Sequence, residues 1–151
     1  MHYQAVDKKK GIALVAHDSK KQALSDWAKF NRDHLAMHHL YATGTTGKIL
    51  EKVLDLPINK LKSGPLGGDQ QLGAMISDGQ VDMLFFFWDP MQPQPHDVDV
   101  KALLRISVLY NIPTASNRST ADFLISSGLF HDEYAPVVKD YSTYITREVA
   151  L

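Results

Sequence analysis

The sequence predicts an α/β domain, a three-layer sandwich in which a five-stranded, mostly parallel sheet lies between two layers of helices. Three observations predict it. Short β-rich runs alternate five times with helix-period runs, and parallel strands need crossover connections that are usually helical. Two of the strand runs, Gly11 to Ala16 and Val81 to Trp88, are almost continuously apolar, the pattern of strands buried on both faces. The 151 residues, 44% hydrophobic and 22% charged, suit one ordinary globular domain, so residues 1–151 are read as a single unit.

Taken in order, Gly11 to Ala16 is the first strand. Asp18 or Ser19 can then cap a helix that carries Leu24, Trp27, Ala28 and Asn31 at helical spacing. Leu40 to Thr43 is the second strand, and Thr45 or Thr46 opens a helix with Ile49, Val53 and Leu54 on one side. Ile58 to Lys62 is a third, weaker strand. After a glycine-rich turn, Gln70 to Ser77 reads as a helix that stops at Asp78-Gly79, where glycine supplies a left-handed C-terminal cap. Val81 to Trp88 is the strongest strand. The three prolines of Asp89 to Pro95 exclude regular structure there, whereas Val100, Leu103, Leu104, Ser107 and Val108 make Asp97 to Tyr110 an amphipathic helix. Ile112 to Ser116 is the fifth strand, Ser119-Thr120 caps a helix through Ile125, and Gly128 closes it. Tyr141 to Val149 is read as a terminal helix.

Composition excludes several function classes. Sixteen Lys plus Arg against seventeen Asp plus Glu leave a net charge of −1, so no electrostatic footprint for nucleic acid or an anionic membrane exists. The absence of Cys removes disulfides, thiolate metal sites and a cysteine nucleophile, and fits a reducing, cytoplasmic setting. The longest apolar run, Met83 to Trp88, is far short of the roughly 18 residues that span a bilayer. Lys8 to Lys10 before Ile12 to Ala16 is too short for a signal peptide.

Small and polar residues cluster just after the strands. His17-Asp18 follows the first, Thr43-Gly44-Thr45-Thr46-Gly47 the second, Ser63 to Asp69 the third, Asp89, His96 and Asp99 the fourth, and Asn117 the fifth. Ligands of open parallel sheets bind outside the carboxyl ends of the strands, so these clusters converge on one edge. The Thr43 to Gly47 turn is either a plain N-cap or an anion cradle of backbone N–H groups, hydroxyls and a helix N-terminus, with Lys21 as the local cation. The three glycines of Ser63 to Asp69 make a tight connection or let backbone approach a ligand closely. Asp18, Asp69, Asp89, Asp97 and Asp99, with His17 and His96, are caps and surface groups or an acid–base set; Asp69 facing His96 fits proton abstraction with a polarising imidazole. No metal is expected, because His34 and His38 have zinc-motif spacing but Leu35 stands where that motif needs Glu. No Gly-x-Ser-x-Gly elbow offers a seryl nucleophile, and Phe85 to Trp88 is read as core.

Ala13-Leu14-Val15-Ala16-His17-Asp18, Tyr41-Ala42-Thr43-Gly44-Thr45-Thr46-Gly47, Ser63-Gly64-Pro65-Leu66-Gly67-Gly68-Asp69-Gln70-Gln71, and Asp89-Pro90 with Pro95-His96-Asp97 together closely resemble the methylglyoxal synthase family, in one register from about Gly11 to Ile125. The resemblance implies a lyase that converts dihydroxyacetone phosphate into methylglyoxal and inorganic phosphate without cofactor or metal, in a homohexamer of flavodoxin-like subunits. It makes Asp69 the proton-abstracting carboxylate and His96 the imidazole at the substrate oxygens. It makes Thr43, Gly44, Thr45, Thr46, Ser63, Gly64 and Lys21 the phosphate-binding positions, with His17 a further substrate contact and Asp18 and Asp99 acidic residues near the site. Phosphate is expected as product and as inhibitor. Relatives carry a C-terminal arginine at the active site; Arg147 is the nearest match, with its spacing from Asp140-Tyr141 shifted. The competing expectation is a regulatory module of the same fold that senses phosphorylated metabolites without catalysis. A receiver-like signalling domain would need an acidic pair after the first strand, where His17-Asp18 offers one carboxylate.

Overall fold

The computed structural model describes residues 2, 3 and 5–150, the first two by their backbone. Its strands are β1 (His2–Tyr3), β2 (Gly11–Ala16), β3 (His39–Thr43), β4 (Asn59–Leu61), β5 (Met83–Phe87), β6 (Thr114–Ala115) and β7 (Val137–Val138). Its helices are α1 (Lys21–Phe30), α2 (Arg32–Leu35), α3 (Gly44–Leu54), α4 (Gly68–Ser77), α5 (Asp97–Leu109), α6 (Arg118–Ser126) and α7 (Ser142–Ile145). The five expected strands form one sheet in the order β4-β3-β2-β5-β6, every pair parallel. β1 and β7 add a separate antiparallel pair that the sequence reading did not contain.

β2 and β5 are buried on both faces because each face is covered by helices. On one side Ile12, Leu14, Phe85 and Phe87 pack with Trp27 of α1, Leu50 and Leu54 of α3 and Ile125 of α6. On the other, Ala13, Val15, Leu84 and Phe86 pack with Leu72 and Ile76 of α4 and with Val100 and Leu103 of α5. Each such large side chain contributes about 1.5–3 kcal/mol by leaving water. The chain runs from β2 outward through β3 to β4, then returns to place β5 on the other side of β2. The C-terminal ends of β2 and β5 therefore border a switch point, where open sheets bind ligands, with the end of β3 next to β2.

Several local expectations need correction. The inner row of α3 is Thr46, Leu50 and Leu54; Val53, one step of about 100° around the helix from Leu54, is 37% exposed. Likewise Val100, Leu103 and Ser107 form the buried row of α5 and Val108 faces out. β5 ends at Phe87 and Trp88 is partly exposed, so it is not core like the phenylalanines. Neither Asp18 nor Ser19 caps α1; a 3₁₀ turn, Asp18–Lys20, precedes it and Ser19 Oγ donates to Asp89. The cap of α6 is Asn117, whose Oδ1 accepts the N–H of Thr120 at 2.9 Å, in place of Ser119 or Thr120. The terminal helix is a single turn, since Tyr144 and Ile145 lie exposed with no surface to bury a face. Gly79 does take the left-handed conformation after α4, at φ 77°.

Candidate active site

Four of the clusters after strands meet in one cleft of about 690 Å³ including its mouth, within the range of small-molecule sites. His17, Asp18, Lys21, Thr43, Thr45, Thr46, Ser63, Gly64, Asp69 and His96 line it, as the sequence expected, together with Pro65 and Gln94. The N-termini of α3, α4 and α5 open on the cleft through Thr43–Thr46, Asp69 and His96. α3 and α4 bring unpaired backbone N–H groups and the positive ends of their dipoles, while α5 adds its dipole with the N–H groups of Asp97 and Asp99 already bonded to the Gln94 and His96 carbonyls, so an anion can be held although the chain is nearly neutral.

The anion side is built by close backbone approach. Gly44 has φ +33°, and a Cβ there would lie 2.7 Å from Ser63 Cα, so only glycine lets the Thr43–Gly47 and Ser63–Gly64 turns touch. Thr46 is buried, and its hydroxyl has no partner among the described residues. That observation counts against the N-cap reading of the turn, because an N-cap hydroxyl would accept a backbone N–H and no threonine side chain caps α3. Lys21 Nζ is held at 2.8 Å by the Ala16 carbonyl and at 3.1 Å by Asp18. The Asp18 carboxylate is almost fully exposed, at the rim, where it anchors Lys21.

The acid–base side centres on Asp69, the second residue of α4 and only 2% exposed. Neither of its carboxylate oxygens has a hydrogen-bond partner. Burial pushes its pKa up, the charge of Asp99 adds to that, and His96 opposes it. His96 Nε2 stands 3.6 Å from Asp69 Oδ2, facing it without a hydrogen bond. Gly64 keeps this space open, since a Cβ would lie 2.7 Å from His96 Nε2. His17 Nδ1 accepts the Asp89 backbone N–H at 3.0 Å, so the proton of the neutral ring is on Nε2, a buried donor without a partner. Burial and the neighbouring His96 lower the His17 pKa and keep it neutral. Asp99 does not line the cleft; its Oδ1 accepts Gln70 Nε2 behind Asp69, so it acts through its field. Asn117 is occupied in capping α6, and Arg147 rests on the Tyr144 ring, 3.7 Å from its centroid.

Among the described residues, the buried side-chain nitrogens and oxygens that lack a partner belong to His17, Thr46, Asp69 and His96 alone. Each such atom costs about 1–3 kcal/mol, and all four residues face the same cleft. A second cavity, at the opposite edge of the sheet, is apolar, and its ammonium, Lys10, is bonded to the carbonyls of Phe130 and Asp132. Among the described residues no cluster of metal-ligating side chains and no membrane-spanning helix occurs.

Helix N-termini and an unpartnered hydroxyl beside a buried carboxylate, at the switch point of a parallel sheet, are the arrangement of an enzyme that works on small molecules. Residues 23–116 match the MGS-like domain model. The chain is 57% identical to the methylglyoxal synthase of Maridesulfovibrio salexigens, covering 95% of this chain and all of that protein. It is 56% identical to that of Sodalis glossinidius, over 93% and 92% of the two chains. The crystal structure of methylglyoxal synthase from Elizabethkingia anophelis superposes with a TM-score of 0.94 at 47% identity, over 99% of each chain. The chain belongs to the methylglyoxal synthase family, and its activity is that of a lyase.

Proposed function

We propose that residues 1–151 act as one methylglyoxal-synthase-like domain that converts dihydroxyacetone phosphate into methylglyoxal and inorganic phosphate. The carrying observation is Asp69: a buried carboxylate with no partner and a raised pKa, in one cleft with the Thr43–Thr46 and Ser63–Gly64 turns, is a general base and has no use in a passive sensor. Asp69 takes a proton from the hydroxymethyl carbon. The electron pair moves to the carbonyl oxygen, where the His96 and His17 rings lie ready to donate as enediolate charge builds. Thr43, Gly44, Thr45, Thr46, Ser63, Gly64 and Lys21 hold the phosphate. With its C–O bond held perpendicular to the enediolate plane, phosphate leaves with the bonding pair and the enol that remains becomes methylglyoxal. Held in plane, the phosphate would stay and the product would be an isomerised triose phosphate.

Phosphate, as product, occupies the same cradle and so inhibits. The enzyme works in the cytoplasm as a homohexamer, and the apolar side chains left exposed on the single chain, among them Phe30, Val108 and Phe123, are surface such an assembly would cover.

The test mixes the purified protein with dihydroxyacetone phosphate and a chelator and follows methylglyoxal and free phosphate together. Equal release of both is expected, with a loss of about 100-fold or more in Asp69→Asn, whose amide cannot accept the proton. No product above background, from protein shown to be folded, would instead favour the regulatory reading.

A further inference from the structure

Gln94 lines the cleft although none of the sequence motifs drew attention to it. It sits in Pro93-Gln94-Pro95, where two prolines restrict the backbone. Asp97 clamps the same residue from both sides: the Gln94 N–H donates to Asp97 Oδ2 at 3.0 Å, and the Asp97 N–H donates to the Gln94 carbonyl at 3.2 Å. A stiff backbone thus presents a side chain that is itself scarcely used. Its Nε2 reaches the Gln92 carbonyl only at 3.4 Å, and among the described residues its Oε1 has no hydrogen bond.

Resting on the reading above, the polar groups of the substrate can be matched to the cleft. The phosphate has the Thr43–Thr46 and Ser63–Gly64 turns, and the carbonyl oxygen has the two imidazoles. The hydroxyl on the carbon that loses its proton is left. That hydroxyl both donates and accepts, and so does a carboxamide, at a strength that does not change with pH. Gln94 and His96 reach the cleft from one short stiff segment, so an amide bonded to the hydroxyl would be fixed relative to the imidazole. We propose that the Gln94 carboxamide holds the hydroxymethyl oxygen of the substrate, turning that carbon toward Asp69, and so makes the enzyme selective for phosphates of α-hydroxy ketones.

The experiment compares the unmodified enzyme with Gln94→Met, which keeps side-chain length and removes the amide. Three quantities are read: kcat/KM for dihydroxyacetone phosphate, and the inhibition constants of acetol phosphate, which has methyl in place of hydroxymethyl, and of inorganic phosphate. The expected result is a fall of about tenfold in kcat/KM, with both inhibition constants unchanged, because neither inhibitor carries the hydroxyl. Gln94→Glu, which keeps an acceptor but loses the donor, should fall as well, while thermal midpoints stay within the range of the parent. A kcat/KM within twofold of the parent overturns the proposal, as does an equal loss in all three quantities, which is what displacement of the loop alone would give. Failure of the unmodified protein to form methylglyoxal overturns the functional reading itself, so the two failures are distinguishable.

Discussion

Acidification should weaken this fold through three histidines that lie outside the cleft. The Lys10 backbone N–H donates to His38 Nδ1 at 3.0 Å, His38 Nε2 meets His131 Nδ1 at 3.0 Å, and His131 Nε2 meets His34 Nδ1 at 2.8 Å. The rings of the two pairs are near parallel, at 10° and 24°. Because a backbone N–H can only donate, His38 Nδ1 must be unprotonated, which sends every proton of the chain one way, toward His34. A second proton on His38 would set two donors face to face. Burial, then the charges of His131, Lys10, His39 and Lys9, lower the His38 pKa from 6.5 to about 4; burial likewise lowers His131, with His34 and Lys10 adding and Asp132 opposing. The unfolded chain therefore takes up a proton near pH 6.5 that the folded chain refuses until about pH 4. Stability from His38 is complete above the unfolded pKa and is lost as pH falls. At about 1.36 kcal/mol per pK unit, the loss is about 2 kcal/mol at pH 5 relative to pH 8 and about 3 kcal/mol below pH 4. Urea denaturation of the parent and of His38→Asn at pH 8 and pH 5 measures it. The variant is weaker at pH 8 but should lose about 2 kcal/mol less on acidification, the carboxylates being common to both. An identical pH dependence in the two proteins would refute the reasoning.

Gly64→Ala, with its Cβ 2.7 Å from His96 Nε2 and 3.3 Å from Asp69 Oδ2, should cost about 100-fold in turnover with an unchanged circular dichroism spectrum. Asp69→Asn removes a carboxylate whose raised pKa makes its charged form a burden in the fold at neutral pH; denaturation at pH 7.5 should find it as stable as the parent or more so, while turnover is lost. Thr46→Ala removes the buried, unpartnered hydroxyl of the proposed phosphate cradle. It should raise KM about tenfold and release isomerised triose phosphate beside methylglyoxal, which the product ratio reports.

The strand series was legible because apolar runs such as Gly11–Ala16 can satisfy their pattern only when covered on both faces, and helix periodicity between them then dictates parallel crossovers. The site was legible because polar residues after such strands have one common edge to occupy. What escaped was whatever depends on tertiary pairing. The β1–β7 ladder joins residues 2 and 3 to 137 and 138 and has no local signature. Asn117 outcompeted Ser119 and Thr120 for the cap of α6, a choice made by backbone angle, with all three residue types suited to it. Gln94 carries no motif; an amide between two prolines shortly before a candidate catalytic histidine was the one signal available.

The proposed function has a chain of net charge −1 handle a dianion without a cluster of cations. Among the described residues Lys21 is the one ammonium in the cleft, and it is already engaged by Ala16 and Asp18. In the proposed function, backbone N–H groups at the ends of α3 and α4, with the dipole of α5, supply the rest of the attraction, and these dipoles cannot be titrated or swung away. The same choice protects the base. A second lysine near Asp69 would stabilise its charged form and pull its pKa down, making it a poorer proton acceptor. Under the proposed function, fixed partial charges aimed at the phosphate leave the buried carboxylate basic, so binding the substrate and deprotonating it do not compete for the same electrostatics.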